Sequence, residues 1–262
     1  MVIINQERCI GCARCKDDCL AKAICLAGGK AEIIKDCFHC GHCVAVCPTE
    51  AVRIEGEGYD MHDVEPTGDG FGITPEAMLH AIKTRRSVRQ FKRECPSMEE
   101  LHMLLEAGRF SPTASNAQNV SYLVFTRETE ILRDLAMREM RSLQGDEAAF
   151  YRVFPPPMSL SRVSFEDDDF LFKGAPAVIL TLSPHAVNAA IASCNMEMQA
   201  AAMGLGVLYV GFFTRLAENC PALRDYLALR QEDHVVTCLA VGYPDVRYLR
   251  TPPRKKAKAQ WR

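Results

Sequence analysis

A cysteine pattern written twice is the strongest constraint on what this chain can become. Cys9-x2-Cys12-x2-Cys15-x3-Cys19 recurs as Cys37-x2-Cys40-x2-Cys43-x3-Cys47, with Pro48 after the second copy and Leu20 after the first. Three cysteines this closely spaced set three thiolates on one tight loop, and a fourth from elsewhere completes a cubane iron–sulfur cluster. A zinc site needs two separated C-x2-C pairs, and the third cysteine of each copy would be redundant for a tetrahedral ion. His39 and His42, inside the second copy, read as flanking loop residues, because eight cysteines already satisfy two clusters. Nine of the 13 cysteines lie in residues 1–56. Cys25, outside both copies, is expected to be a buried thiol. Thiols clustered like this belong in a reducing compartment, where they act as ligands rather than disulfides.

Charge divides the chain into three parts. Residues 1–56 carry seven basic and seven acidic side chains, 57–75 five acids and no base, and the remainder 24 bases against 21 acids. The expected organisation is a metal-bearing head (1–56), an acidic, Gly-containing linker (57–75) and a larger body (76–262). A length of 262 residues suits one large or two modest domains at about 150 residues each. With 48% hydrophobic and 24% charged residues the composition is that of a globular protein, and a net charge of −2 gives no overall field for nucleic acid. The final segment from Arg247 has seven basic residues and no acid, and is expected to be a tail ending on a phosphate rather than a nucleic-acid arm. Met1 is followed by neither a basic region nor a long apolar run. The longest uncharged apolar stretch, Ala200 to Phe213, is shorter than the roughly 18 residues of a spanning helix. A cytoplasmic protein without a membrane anchor is expected.

Local patterns place the remaining features. Ala31–Ile34 and Ala51–Ile54 read as short strands, suiting a pseudo-symmetric pair of hairpins. Thr74 and Pro75 open a helix over Glu76–Thr84, which runs into Arg85-Arg86-Ser87-Val-Arg89, a stretch able to grip a phosphate. Ser97 to Phe110 has acids in its first turn and leucines on one side, as a capped amphipathic helix does. The polar loop from Ser111 to Asn119 precedes a strand over Val120–Thr126, and residues 186–204 form an Ala- and Met-rich helix suited to close helix–helix contact. No G-x-G-x-x-G follows a strand and no P-loop is present. His80, His102, His185 and His234 are scattered and expected at the surface or at caps.

The head resembles bacterial two-cluster ferredoxins. That resemblance implies Cys9, Cys12, Cys15 and Cys47 on one [4Fe–4S] cluster and Cys37, Cys40, Cys43 and Cys19 on the other, serving as an electron port. From about residue 76 onward the chain is similar to the nitroreductase family. The resemblance rests on Arg85–Phe91, on Pro112-Thr-Ala-Ser-Asn116-Ala-Gln118, on Asn195–Met203 leading into Gly204–Phe213, and on Val241–Asp245 trailing to Arg254. Where many members continue Gln-Pro-Trp, this chain reads Gln118-Asn119. The implied protein is an α+β homodimer with FMN at its interface. Arg85, Arg86, Ser87, Arg89 and Arg254 would take the flavin phosphate and ribityl chain. Pro112, Thr113, Ala114 and Asn116 would come from the partner subunit, and Val210 and Gly211 would lie near the reactive nitrogen. The implied activity is reduction of small acceptors such as nitroaromatics or quinones, with NAD(P)H or a redox partner protein as donor and no indispensable catalytic acid or base. A dedicated dehalogenase or heterocycle dehydrogenase, and a non-enzymatic electron carrier, are the alternatives.

Overall fold

A computed structural model describes residues 1–68 and 70–262. Asp69, one of the linker acids, lies outside the described residues. The chain divides into two units: residues 1–73 with 113–117, and residues 74–112 with 118–262.

In the first unit the chain forms β1 (Val2–Ile4), α1 (Arg14–Asp17), β2 (Ile24–Ala27), β3 (Lys30–Ile33), α2 (His42–Ala45) and β4 (Val52–Ile54). The two cysteine copies fold alike. Each enters a one-turn helix through a left-handed residue, Ala13 at φ 66° and Gly41 at φ 76°. Left-handed backbone recurs at two more equivalent pairs, Gly11 with His39 and Lys22 with Glu50. Such residues turn a chain sharply, which is what directing several thiols inward from one short loop demands.

The strands depart from the expected pair of hairpins. β2 and β3 do close a hairpin through Gly28 and Gly29, both at positive φ. β4 instead pairs antiparallel with β1, Val2 opposite Ile54 and Ile4 opposite Val52. The run after Ile54, Glu55-Gly-Glu-Gly58, is poor strand material, so the apolar N-terminus takes that place. Cys25 is half-buried rather than buried, because alternate residues of the hairpin face opposite ways and its neighbour Ile24 takes the interior. In the linker, a 3-10 turn at Met61–Asp63 is capped by the Asp60 carboxylate, which accepts from the His62 amide at 2.8 Å.

The second unit continues with α3 (Pro75–Thr84), α4 (Met98–Arg109), β5 (Ser121–Phe125), α5 (Thr129–Ser142), α6 (Glu147–Val153), β6 (Ala177–Leu182), α7 (Ala186–Ala202), β7 (Gly206–Tyr209), α8 (Gly211–Asn219), α9 (Pro221–Tyr226) and β8 (Val235–Gly242). The capped helices form as their sequences predict. Thr74 accepts from the Ala77 amide at 3.2 Å, and Ser97 and Glu100 make a reciprocal capping box at 3.1 and 2.8 Å.

The sheet runs β5-β6-β8-β7, antiparallel throughout. Every residue of β6 is buried, since the sheet carries helices on both faces. Val178, Leu180 and Leu182 join a core with α5, α6, α8 and α9, while Ala177 and Ile179 join a second core with α4 and α7. That two-residue alternation is why β6 reads as an unbroken apolar run. Segment 87–92 lengthens the sheet edge: Val88 donates to the Val207 carbonyl at 3.0 Å and Lys92 to Tyr243 at 2.8 Å. Gly206 permits this approach, because a Cβ there would sit 2.5 Å from Val88 Cγ2. No helix among the described residues is long and apolar enough to cross a membrane.

Candidate functional site

The first unit gathers the thiols. Cys9, Cys12, Cys15 and Cys47 line one cavity together with Ile4, Ile10 and Val52. Burial raises the Cys15 thiol, and the nearby Cys12 and Cys47 raise it further. Cys43, likewise pushed up to about 11 by burial, feels Cys40 and Cys37, and it shares an apolar cluster with Cys19. No group of three or more His, Cys, Asp or Glu side chains is placed to hold a single metal ion among the described residues.

Backbone amides point at the sulfurs. Ala31 donates to Cys9 at 3.4 Å, Ala23 to Cys19 at 3.4 Å, His39 to Cys37 at 3.4 Å and Ala51 to Cys47 at 3.2 Å. Burial opposes ionisation of Cys47, but the Thr49 and Ala51 amides and the Thr49 hydroxyl outweigh it and hold the thiol below its ordinary value. Amide bonds to thiolates are a means of tuning cluster potential, so these donors suit the predicted group. His42, the first residue of α2 rather than the expected loop residue, pairs with Asp18 at 3.0 Å.

The second unit gathers guanidiniums. Arg85, at the end of α3, donates through Nη1 to Glu197 Oε1 at 2.7 Å. Arg86 has its guanidinium pulled below its ordinary value, first by partial desolvation and then by repulsion from Arg254 and Arg85. The structure thus brings Arg254, from the C-terminal tail, beside Arg86, far from it in sequence. The tail is held there in part by Tyr248, whose hydroxyl donates to the Ser87 carbonyl at 3.2 Å. Arg86 donates to the Lys83 and Thr84 carbonyls, and neither it nor Arg254 pairs with a carboxylate among the described residues. Two guanidiniums within electrostatic reach of each other and without a carboxylate partner could hold an anion. Arg89 is exposed on the same edge segment.

Val210 and Gly211 stand between β7 and α8. The Val210 amide is used, donating to the Cys238 carbonyl at 2.8 Å. Gly211, the exposed first residue of α8, therefore presents the first N–H of the helix without an intrahelical acceptor. Pro112 is exposed in the second unit. Thr113, Ala114 and Asn116 group with the first unit, where the Asn116 amide donates to the Phe38 and His39 carbonyls at 3.1 and 3.0 Å. Of the scattered histidines, His80, His102 and His185 are exposed, and His234 pairs with Glu218 at 3.0 Å.

Sequence inspection passed over Glu197. It lies on the Ala- and Met-rich α7, yet it is the one charged side chain in the buried class among the described residues, 6% exposed. Its signal was an acid placed between Met196 and Met198 in a helix otherwise without charge.

Comparison with known proteins agrees with both halves. Residues 82–243 match the nitroreductase family profile. The FMN reductase (NADPH) of Bacillus subtilis strain 168 is 24% identical over 172 residues, 63% of this chain and 65% of that protein. A ferredoxin-like protein in the nif region of Azotobacter vinelandii is 32% identical over 90 residues, 32% of this chain and 95% of that protein. Among solved structures, a nitroreductase with bound FMN from Bacteroides fragilis NCTC 9343 aligns with a TM-score of 0.54 at 21% identity, covering 68% of this chain and 94% of that one. This likeness establishes the fold.

Proposed function

The chain belongs to the nitroreductase family, and from that premise we propose that it is an FMN-dependent oxidoreductase with two [4Fe–4S] clusters in its N-terminal unit. The observation that carries the proposal is the Arg85, Arg86 and Arg254 set, drawn from distant parts of the chain, in which Arg86 and Arg254 have no carboxylate partner among the described residues. The bound FMN of the Bacteroides fragilis structure and the name of the Bacillus subtilis relative support flavin as the ligand.

When bound, FMN supplies one- or two-electron transfer and the clusters supply single-electron transfer. The chain supplies the binding and the geometry. Arg85, Arg86 and Arg254 hold the phosphate, with Ser87 and Arg89 along the ribityl chain. Gly211 offers its N–H at the start of α8, where the helix dipole favours electron-rich atoms. The two sets of thiolates hold the clusters, and the amides of Ala23, Ala31, His39 and Ala51 adjust their charge.

The working form is a homodimer. α3 has no buried residue, and Leu79 and Ile82 on it are 50% and 51% exposed, an apolar face suited to a second copy. The substrates are small acceptors such as nitroaromatics or quinones, with NAD(P)H or reduced ferredoxin as donor.

An anaerobic absorbance titration tests this. Purified protein receives NADH, NADPH and reduced ferredoxin in turn while the flavin and iron–sulfur bands are followed separately. Prompt bleaching of the flavin by a nicotinamide makes the body a self-sufficient reductase. Bleaching by reduced ferredoxin alone makes the clusters its obligatory port. Protein isolated without a flavin band overturns the proposal.

A further inference from the structure

We propose that Glu197 is a positioning residue: it fixes the Arg85 guanidinium so that the remaining N–H groups of Arg85 are held for the phosphate of a flavin mononucleotide. This rests on the flavin reading above.

Stability does not account for Glu197. Burial raises its carboxyl, and the attraction of Arg85 works against that loss of hydration. A buried ion pair of this kind is a poor source of stability, since an apolar pair of similar volume often does as well. The surroundings on α7 are apolar, with Met196 and Ala200 fully buried. Something other than packing accounts for a carboxylate there.

Its partner supplies the reason. The bond from Nη1 to Glu197 is the one hydrogen bond the Arg85 side chain makes among the described residues. A guanidinium has five N–H donors in a rigid fork. With one donor tied down, the others lose rotational freedom before any ligand arrives, which lowers the entropy lost on binding. The charge balance agrees. Arg85, Arg86 and Arg254 contribute three positive charges and Glu197 removes one, leaving two. A phosphate monoester carries about −1.5 to −2 near neutral pH.

Riboflavin, which is FMN without the phosphate, separates this role from a structural one. Flavin-stripped full-length protein with its clusters intact is titrated anaerobically with FMN and with riboflavin, following quenching of flavin fluorescence. Glu197→Ala should weaken FMN binding roughly tenfold, the order expected for losing one charge-assisted contact, and leave riboflavin binding unchanged. Glu197→Gln retains an acceptor and should show a smaller fall of about threefold. It also serves if the alanine variant does not fold. In an Arg85→Ala background, Glu197→Ala should have no further effect. An unchanged ratio of FMN to riboflavin affinity in both Glu197 variants, or equal weakening of the two ligands, overturns the inference. Wild-type protein that binds neither flavin overturns the functional reading instead.

Discussion

In the first unit no regular element exceeds four residues, and Cys9 and Cys15 sit in the interior beside Ile24, Ala31 and Ala51. In the second, α7 alone runs 17 residues and β6 is buried at every position between two apolar cores. A unit of that first kind has too little apolar surface to offset the entropy of ordering its loops, and small domains of this size rely on metals or cross-links. The second unit needs no such help. On the proposed function, iron would therefore be part of the fold in one region, whereas flavin would occupy a site the other region builds without it.

Chelating the iron is the most direct way to break that comparison. The expected result is loss of the first unit with retention of the second, seen as one calorimetric transition disappearing and as selective proteolysis before residue 74. Simultaneous loss of both, or of neither, would show that the regions do not differ in this way. Within the first unit, the proposed function expects Cys15→Ser to remove about half the bound iron, because one of two clusters would lose a ligand, and Cys25→Ser to remove none. Iron analysis of the two variants decides between them.

A smaller effect sharpens the comparison from the side of the body. Arg85→Ala strands a buried carboxylate and should lower stability by about 3–5 kcal/mol, whereas Glu197→Gln should fall within about 1 kcal/mol of the parent. Urea denaturation of the second-unit transition measures both. Equal effects would mean that the pair is held for stability after all.

How much of this was legible in the sequence follows the range of the interactions. The two cysteine copies and the caps at Thr74 and Ser97 are local, written within a few residues, and could be read directly, whereas the grouping of Cys47 with Cys9, Cys12 and Cys15 was only what the ferredoxin resemblance implied. The pairing of β4 with β1 could not, because nothing near Ile54 announces a partner at Val2. The same holds for Glu197, whose partner Arg85 lies on the far side of α4 in sequence. The return of Arg254 toward Arg86 was suggested only by family resemblance, since spacing alone says nothing of where a tail will fold back.

The smallest expected effect concerns packing in the body. A Cβ on Gly108 would collide with the Tyr122 hydroxyl and stand 3.0 Å from its ring carbon Cζ. Gly108→Ala should therefore lower stability by about 1–3 kcal/mol, part of it recovered with Tyr122→Phe. Alone, Tyr122→Phe should be neutral or raise stability by up to about 1 kcal/mol, because the buried hydroxyl has no hydrogen-bond partner among the described residues. Burial pushes the Tyr122 phenol up to about 12. The folded state thus keeps its proton after the unfolded chain has released it at about 10, and stability falls as pH rises through that interval. An ultraviolet titration should show the late tyrosine, and its absence in Tyr122→Phe.

The pairing of β1 with β4 has a consequence for inheritance. The segment that carries both cysteine copies is bracketed by Val2–Ile4 and Val52–Ile54, the two strands side by side, with the Met1 carbonyl accepting from the Glu55 amide at 2.7 Å. A module whose entrance and exit adjoin behaves as a cassette, because joining it to another gene or deleting it leaves the neighbouring chain little to reroute. Recombination can then exchange such a module without redesigning the rest of the chain.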